Sequence, residues 1–209
     1  MNKERSSFSF EMTSEQLLYT KQLVEYSISN HTVPDIFDKK YQYEYRTTGT
    51  MGEIAFADTY NLPRPKKSFG ATDGQDMGQD FILCGKVVDT KTMRRKNEFF
   101  YGNYVLNIPS SQLNKKGSLT DIYCCMSICQ IDKIWRTTIV GFVNKENILK
   151  GKIGCFYPKG SVRTKANNET FVFHEDTYEI LFSELTRPLI TEEIKKLPGF
   201  KKVQIKNEN

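Results

Sequence analysis

Near residue 80 the hydrophobic pattern changes from helical spacing to a succession of short alternating segments. Before it, the pattern predicts a helix over 14–29, N-capped by Thr13 or Ser14, and a second helix over 48–60. A polar connection containing Pro34 joins the two helices, and the glycine-containing segment 70–79 is predicted to form a loop. The later pattern predicts short helices over 145–150 and 191–197 and strands over 80–83, 87–92, 104–108, 122–128, 137–143, 170–173 and 178–182.

Helices that precede a run of strands predict an α/β or α+β fold with a central mixed β-sheet flanked by helices. The length of 209 residues fits a single domain. We expect its core over 45–150, an N-terminal helical extension over 1–44, and strands, a helix and a polar tail over 151–209. No apolar run is as long as a membrane span and the N-terminus does not resemble a signal peptide, so we expect a cytoplasmic protein without a membrane partner.

The chain has five cysteines and two histidines, and no two cysteines have CxxC spacing. This argues against a structural zinc site and favours buried, reduced thiols. The P-loop, dinucleotide-binding and HExxH motifs are also absent from the sequence, so no small-molecule cofactor is expected.

The segment 78–92 contains most of the candidate catalytic residues. Gly85-Lys86 has the composition of a two-residue type II′ hairpin turn, which would pair Asp80 with Lys91 and Ile82 with Asp89. Because side chains alternate between the faces of a strand, one face would carry the charged residues and the other would be mostly apolar. The first face would contain Asp80, Ile82, Cys84, Val87, Asp89 and Lys91, and the second Phe81, Leu83, Val88 and Thr90.

Two carboxylates placed together repel each other and are easier to keep ionised around a divalent cation. Oxygen ligands without histidine favour Mg²⁺, for which Mn²⁺ can substitute. The lysine of Asp89-Thr90-Lys91 could then orient a water molecule or stabilise a developing negative charge. The alternative is a solvated hairpin end in which Lys91 forms an ordinary cross-strand salt bridge with Asp80.

A third acid, Glu53, lies on the second predicted helix and shares a face with Phe56, Ala57 and Tyr60. A carboxylate on an apolar face is costly unless it is paired or binds a metal. A glutamate at the rim that reaches water explains the pattern nearly as well, so both interpretations stay open.

The order of Glu53, Asp80 and Asp89-Thr90-Lys91 resembles the PD-(D/E)xK nuclease superfamily, which has the restriction-endonuclease-like fold. Gln79 stands where that pattern usually has proline. The resemblance covers the middle of the chain and implies a Mg²⁺-dependent endonuclease that cuts DNA in a bacterial cell or a phage-infected host. It implies that the metal ligands are Asp80, Asp89, the Thr90 carbonyl and Glu53, and that Lys91 positions the attacking water.

Arg94, Arg95 and Lys96 follow the motif strand and could contact phosphates, although a solvated turn is an equally good interpretation. Gln112 is a candidate for the auxiliary role that some members of the superfamily give to a glutamine. Cleavage of both DNA strands would suit a homodimer with twofold symmetry. Two other functions stay open: a DNA-binding protein without catalysis, and a small protein that acts on a host enzyme.

Overall fold

A computed structural model describes residues 4–30, 39–66, 80–164 and 170–206. They form a mixed α+β fold, as the sequence predicted. Its helices are α1 (Ser14–Asn30), α2 (Lys39–Thr59), α3 (Ser110–Leu113), α4 (Lys145–Leu149) and α5 (Glu192–Lys195), with a 3-10 turn at Phe182–Glu184. Its strands are β1 (Ser7–Glu11), β2 (Phe81–Leu83), β3 (Lys86–Arg95), β4 (Val105–Pro109), β5 (Ile122–Ile131), β6 (Ile134–Asn144), β7 (Cys155–Tyr157), β8 (Val162–Thr164), β9 (Thr170–Val172), β10 (Thr177–Leu181) and β11 (Lys201–Val203).

The first predicted helix is confirmed as α1, together with its N-cap. The Thr13 hydroxyl accepts a hydrogen bond from the Gln16 backbone N–H at 3.2 Å, and the Gln16 side chain accepts one from the Thr13 N–H at 2.9 Å. This reciprocal capping box satisfies two N–H groups that the first turn of a helix leaves without a partner.

Helix α2 begins at Lys39, nine residues before the predicted start at residue 48. The preceding segment contains Tyr41, Tyr43 and Tyr45 at alternate positions, a spacing that does not follow the helical period. It contains neither glycine nor proline between residues 39 and 48, so nothing interrupts the helix there. The part of the predicted connection that holds Pro34, and the predicted loop 70–79, lie outside the described residues.

The main sheet has six strands in the order β11-β1-β6-β5-β3-β2. All its neighbouring pairs are antiparallel except β3 and β5, which are parallel. A parallel pair needs a long crossover, and the segment between these two strands supplies it with β4 and α3. The sheet is therefore mixed, as predicted, and the five strands predicted between residues 80 and 143 are all present.

The predicted helical extension over 1–44 is corrected by β1, which lies inside the main sheet between β6 and β11. Phe8 and Phe10 of β1 are 0% and 1% exposed. They alternate with Ser7 and Ser9, a period of two that is typical of a strand and that the sequence interpretation missed, and in the sheet both serines are buried as well. The C-terminal part also joins this sheet through β11, while β10 pairs with β4 and β7 in a second, three-stranded sheet.

Apolar side chains cover both faces of the main sheet. On one face α2 packs against Phe8, Phe81, Val88 and Met126, and on the other the second sheet packs against Tyr123 and its neighbours. Among the described residues, no helix is long and apolar enough to cross a membrane.

All five cysteines are free, which agrees with the prediction of reduced thiols. Three of them, Cys124, Cys125 and Cys129, are buried as expected. The other two, Cys84 and Cys155, are exposed, because one lies in a hairpin turn and the other on a short strand of the second sheet.

Candidate functional site

The β2–β3 hairpin turns at Cys84-Gly85, one residue before the predicted Gly85-Lys86. Both turn residues have positive φ, 51° and 74°, which is the geometry of a type I′ turn rather than type II′. The pairs are Leu83 with Lys86, Ile82 with Val87, and Phe81 with Val88. The predicted pairing of Ile82 with Asp89 is therefore wrong, and so is that of Asp80 with Lys91.

The predicted faces of β3 nevertheless hold, because the register differs by two positions and side chains alternate with a period of two. Val88 belongs to the core cluster under α2, and a Cβ atom placed on Gly52 of α2 would lie 1.8 Å from the Thr92 hydroxyl oxygen. The even-numbered residues of β3 thus face α2. Asp89 and Lys91 face the second sheet, as does Met93, which packs on that cluster.

Asp80 lies just before β2, at the edge of β3. Its Oδ2 accepts hydrogen bonds from the Thr90 backbone N–H at 2.6 Å and from the Thr90 hydroxyl at 2.8 Å. The Asp80 N–H donates to the carbonyl of Val88, the residue that pairs with Phe81, at 3.2 Å. The Asp80 carboxylate therefore lies at the strand edge on the side of the Thr90 hydroxyl, which faces α2, and not on the face of Asp89 as predicted.

Asp89 is buried, 6% exposed, and pairs with Lys91, whose Nζ lies 2.5 Å from Asp89 Oδ1. The Lys91 ammonium also lies 5.7 Å from the centre of the Tyr123 ring, a cation–π contact. Tyr123 lies on β5 directly beside Asp89 in the parallel register. Lys91 is thus held between a carboxylate and an aromatic ring.

The two aspartates are electrostatically coupled. Burial, and then the negative charge of Asp89, raise the pKa of Asp80 to about 7, while its hydrogen bonds from Thr90 and the charge of Lys91 act in the opposite direction. Burial and the charge of Asp89 also raise the pKa of Tyr123. Asp89 therefore acts on an acid and a phenol at once, and the loss of the Asp80 proton is costly without an added cation.

The third predicted acid does not complete a metal site. Glu53 lies on α2, which packs on the opposite face of β3 from Asp89, and is partly buried. In the described part of the chain, no three His, Cys, Asp or Glu side chains form a group that could hold a metal ion. Asp89 and Lys91 are paired and both act electrostatically on Asp80, while the role of Glu53 as a metal ligand stays a prediction.

The residues predicted to contact phosphates differ in their exposure to solvent. Arg95 turns its guanidinium into the core, with its central carbon 4.3 Å from the ring centre of Tyr104 and 5.1 Å from that of Phe182. Burial lowers its pKa. Arg95 is therefore a packing residue and not a surface contact for DNA, which corrects the prediction.

Arg94 is exposed but bridges two elements. It donates to Glu44 of α2 at 2.7 Å and lies 5.1 Å from the centre of the Trp135 ring. Lys96 and Gln112 are exposed, and Gln112 lies on α3. From Asp89 to Arg94 the strand extends about 16 Å at about 3.3 Å per residue, so this basic group is not adjacent to the acid pair.

Two residues near the site were missed at the level of sequence. Tyr123 contacts Lys91, and Asp121 accepts a hydrogen bond from the Val87 N–H at 2.9 Å, which fixes the start of β3 beside β5. Both depend on the register between two parallel strands separated by a long crossover, which local pattern does not specify. The Asp121-Ile-Tyr123 sequence itself carries no catalytic signature.

Comparison with known proteins gives no relative: no family model, no curated protein and no solved structure matches this chain. The fold class is therefore defined by the architecture, a mixed α+β domain. The resemblance to the PD-(D/E)xK superfamily rests on the order of Glu53, Asp80 and Asp89-Thr90-Lys91 in the sequence alone.

Proposed function

We propose that this chain is a Mg²⁺-dependent DNA endonuclease of the restriction-endonuclease-like class, and that Asp80, Asp89 and Lys91 form its active site. The observation that supports this most directly is the coupling of two carboxylates beside one ammonium group. The charge of Asp89 raises the pKa of Asp80, while Lys91 pairs with Asp89 and also lowers the pKa of Asp80. A compact set of this kind has a clear use in phosphodiester hydrolysis.

The donor set fits Mg²⁺. This ion prefers oxygen ligands, keeps several waters, and is often bound through only one or two protein carboxylates. Asp80 and Asp89 would supply those carboxylates, and a divalent cation would remove the repulsion that raises the pKa of Asp80. When bound, the ion lowers the pKa of a coordinated water and stabilises charge on the phosphoryl oxygens. Mn²⁺, which accepts the same ligands, is expected to substitute.

The chain's own residues have separate roles in this proposal. Thr90 is a positioning residue, because its N–H and hydroxyl hold one oxygen of Asp80. Lys91, held by Asp89 and the Tyr123 ring, would orient the attacking water and balance the negative charge on the phosphate. The proposal does not require Glu53, and it assigns the Thr90 carbonyl only a supporting place beside the two carboxylates.

The test is cleavage of supercoiled plasmid and of a single-stranded oligonucleotide, with Mg²⁺, Mn²⁺ or Ca²⁺ supplied in turn. We expect wild type to nick and then linearise the plasmid with Mg²⁺ or Mn²⁺, and Asp89→Asn and Lys91→Ala to lose at least about 100-fold in rate. Asp132→Asn, in the exposed β5–β6 turn, and Lys21→Ala, on exposed α1, are matched controls that should retain activity. Equal rates for wild type and Lys91→Ala would contradict the proposal.

A homodimer follows from the need to cut both strands, since one active site cleaves one strand per visit. Sedimentation equilibrium across a range of protein concentrations tests this point. If the protein is a monomer that only nicks plasmid, the active-site assignment is retained and the proposed homodimer is contradicted.

A second candidate function is DNA binding without catalysis, and the internal partners of the two acids favour it. Asp80 is bound by Thr90 and Asp89 by Lys91, so the described residues satisfy both carboxylates in part without a metal. In this case wild type and Lys91→Ala bind duplex DNA with the same affinity and salt dependence, and neither cleaves it with any metal. A third possibility, action on a host protein, predicts no salt-dependent DNA affinity at all.

A further inference from the structure

At the edge of the main sheet, the segment before β1 and the segment after β11 separate and leave a gap, called the fork below. Strands β1 and β11 pair as far as Ser7 with Val203. Beyond that point, Arg5 bridges to Leu189, while the segment that follows β11 runs to a bridge between Lys206 and Tyr101. The two backbones diverge, and a cavity of about 360 Å³ lies between them. The residues that line it are Arg5, Ser6, Ser7, Arg187, Val203, Gln204, Ile205 and Lys206.

Arg187 is fixed in this cavity by the backbone. Its guanidinium donates to the Phe182 carbonyl at 2.8 Å and to the Val140 carbonyl at 3.2 Å. Gly141 allows the segment before Arg187 to approach β6, since a Cβ atom there would lie 2.8 Å from the Leu185 Cβ. Burial lowers the pKa of Arg187. The charge is therefore partly desolvated and held in a set orientation by neutral acceptors.

The lining contains three cationic side chains and no acidic one. Within the described part of the chain, none of Arg5, Arg187 and Lys206 has a carboxylate oxygen within 4.0 Å. One Nη atom of Arg5 donates to the Arg187 carbonyl at 3.0 Å, which connects the segment before β1 to the backbone of Arg187. Three cationic side chains around one cavity, with no acidic side chain in its lining, create a positive potential that attracts an anion.

We propose that this fork is a binding site for a phosphate group, with Arg5 and Lys206 as its adjustable donors and Arg187 as its fixed charge. The planar guanidinium group of an arginine matches the geometry of phosphate oxygens, and the ammonium group of Lys206 adds a point charge. Strands β6 and β5 separate β1 from β3, so the site lies about 14 Å or more across the sheet from the acid pair. The inference does not depend on the nuclease assignment.

A phosphate group can come from a small free anion or from the backbone of a nucleic acid, and the experiment separates the two. Sodium phosphate is titrated into the full chain at constant ionic strength, with sodium chloride as the balancing salt, and binding is followed by calorimetry. A 12-nucleotide single-stranded DNA is titrated in a second series, with EDTA present so that no cleavage occurs.

The test variant is Arg5→Ala/Lys206→Ala, because both side chains are exposed and Arg187 anchors the fold. The matched control is Lys21→Ala/Lys150→Ala, which removes the same net charge from distant exposed positions. We expect the test variant to weaken phosphate binding about tenfold or more, and the control to bind as wild type does.

Competition between phosphate and the oligonucleotide, lost in the test variant, would identify the backbone as the source of the group. Binding of phosphate alone would identify a small anion. The proposal is overturned if neither ligand binds wild type, or if the test variant and the control bind both ligands with equal affinity.

Discussion

Replacement of Asp80 by asparagine leaves an oxygen that can still accept the Thr90 N–H but removes the titratable proton. In the folded chain the pKa of Asp80 is raised from 3.8 to about 7 by burial and by the charge of Asp89. An acid whose pKa is higher in the folded state binds its proton more tightly there. The protonated Asp80 therefore stabilises the fold at low pH. This stabilisation is lost as the pH rises from the pKa of the unfolded chain to that of the folded chain.

The size of the effect follows from the two pKa values. A shift of about 3 units corresponds to about 4 kcal/mol of unfolding free energy, lost progressively between about pH 4 and pH 7. Between pH 5 and pH 8 the wild type should lose about 2 to 3 kcal/mol from this one group. Asp80→Asn lacks this loss, so its stability relative to wild type should rise by that amount over the same interval.

Urea unfolding at pH 5 and pH 8, in EDTA, measures the difference. Asp132→Asn serves as the matched control, because Asp132 is exposed in a turn where its φ of 48° also suits asparagine. Any destabilisation by the asparagine side chain that does not depend on pH cancels when the difference from wild type at pH 5 is compared with that at pH 8. If Asp80→Asn and wild type differ equally at both, Asp80 is not the buried acid with a raised pKa described above. Added Mg²⁺ should stabilise wild type at pH 8 and not Asp80→Asn, which connects the same variant to the proposed metal site.

Three further changes test the packing of the fold by urea denaturation. Gly52→Ala places a methyl group 1.8 Å from the Thr92 hydroxyl oxygen, so it should cost about 1 to 3 kcal/mol, and Thr92→Ala in the same chain should recover only part of this, because the Thr92 Cβ itself lies 2.8 Å away. Arg64→Ala removes two hydrogen bonds, of 2.7 and 2.8 Å, to Asp58 and should cost about 1 kcal/mol, with a smaller cost at high salt. Thr13→Ala removes the cap of α1 and should cost about 1 kcal/mol, whereas Thr13→Ser should be nearly neutral. An unaffected stability in any of these single variants would show that the contact does not contribute as described.

Local pattern was sufficient for the elements that form from nearby residues. The cap of α1 depends on Thr13 and Gln16, three positions apart, and the strands of the β2–β3 and β5–β6 hairpins lie next to each other in sequence. The turn of the first hairpin was displaced by one residue, because Gly85 suits either of two adjacent turns. The faces of β3 survived this error, since side-chain parity tolerates a register change of two.

Features that depend on distant residues were not predictable in the same way. The place of β1 in the sheet depends on β6 and β11, which lie more than a hundred residues away along the chain. The interior position of Arg95 depends on contacts with Tyr104 and with the distant Phe182, so its sequence context alone suggested a surface residue. Glu53 was grouped with the other acids by order along the chain, whereas the face of β3 on which α2 packs is set by contacts between distant residues.

The position of β1 between β6 and β11 has a consequence for synthesis in the cell. The ribosome produces β1 before the other strands of the main sheet, whereas its outer neighbour, β11, is synthesised after all of them. Until then one side of β1 presents unpaired backbone groups that can associate with other nascent chains. A stop codon placed just before β11 should therefore yield insoluble protein, even though the acid pair and the whole of α2 have already been made.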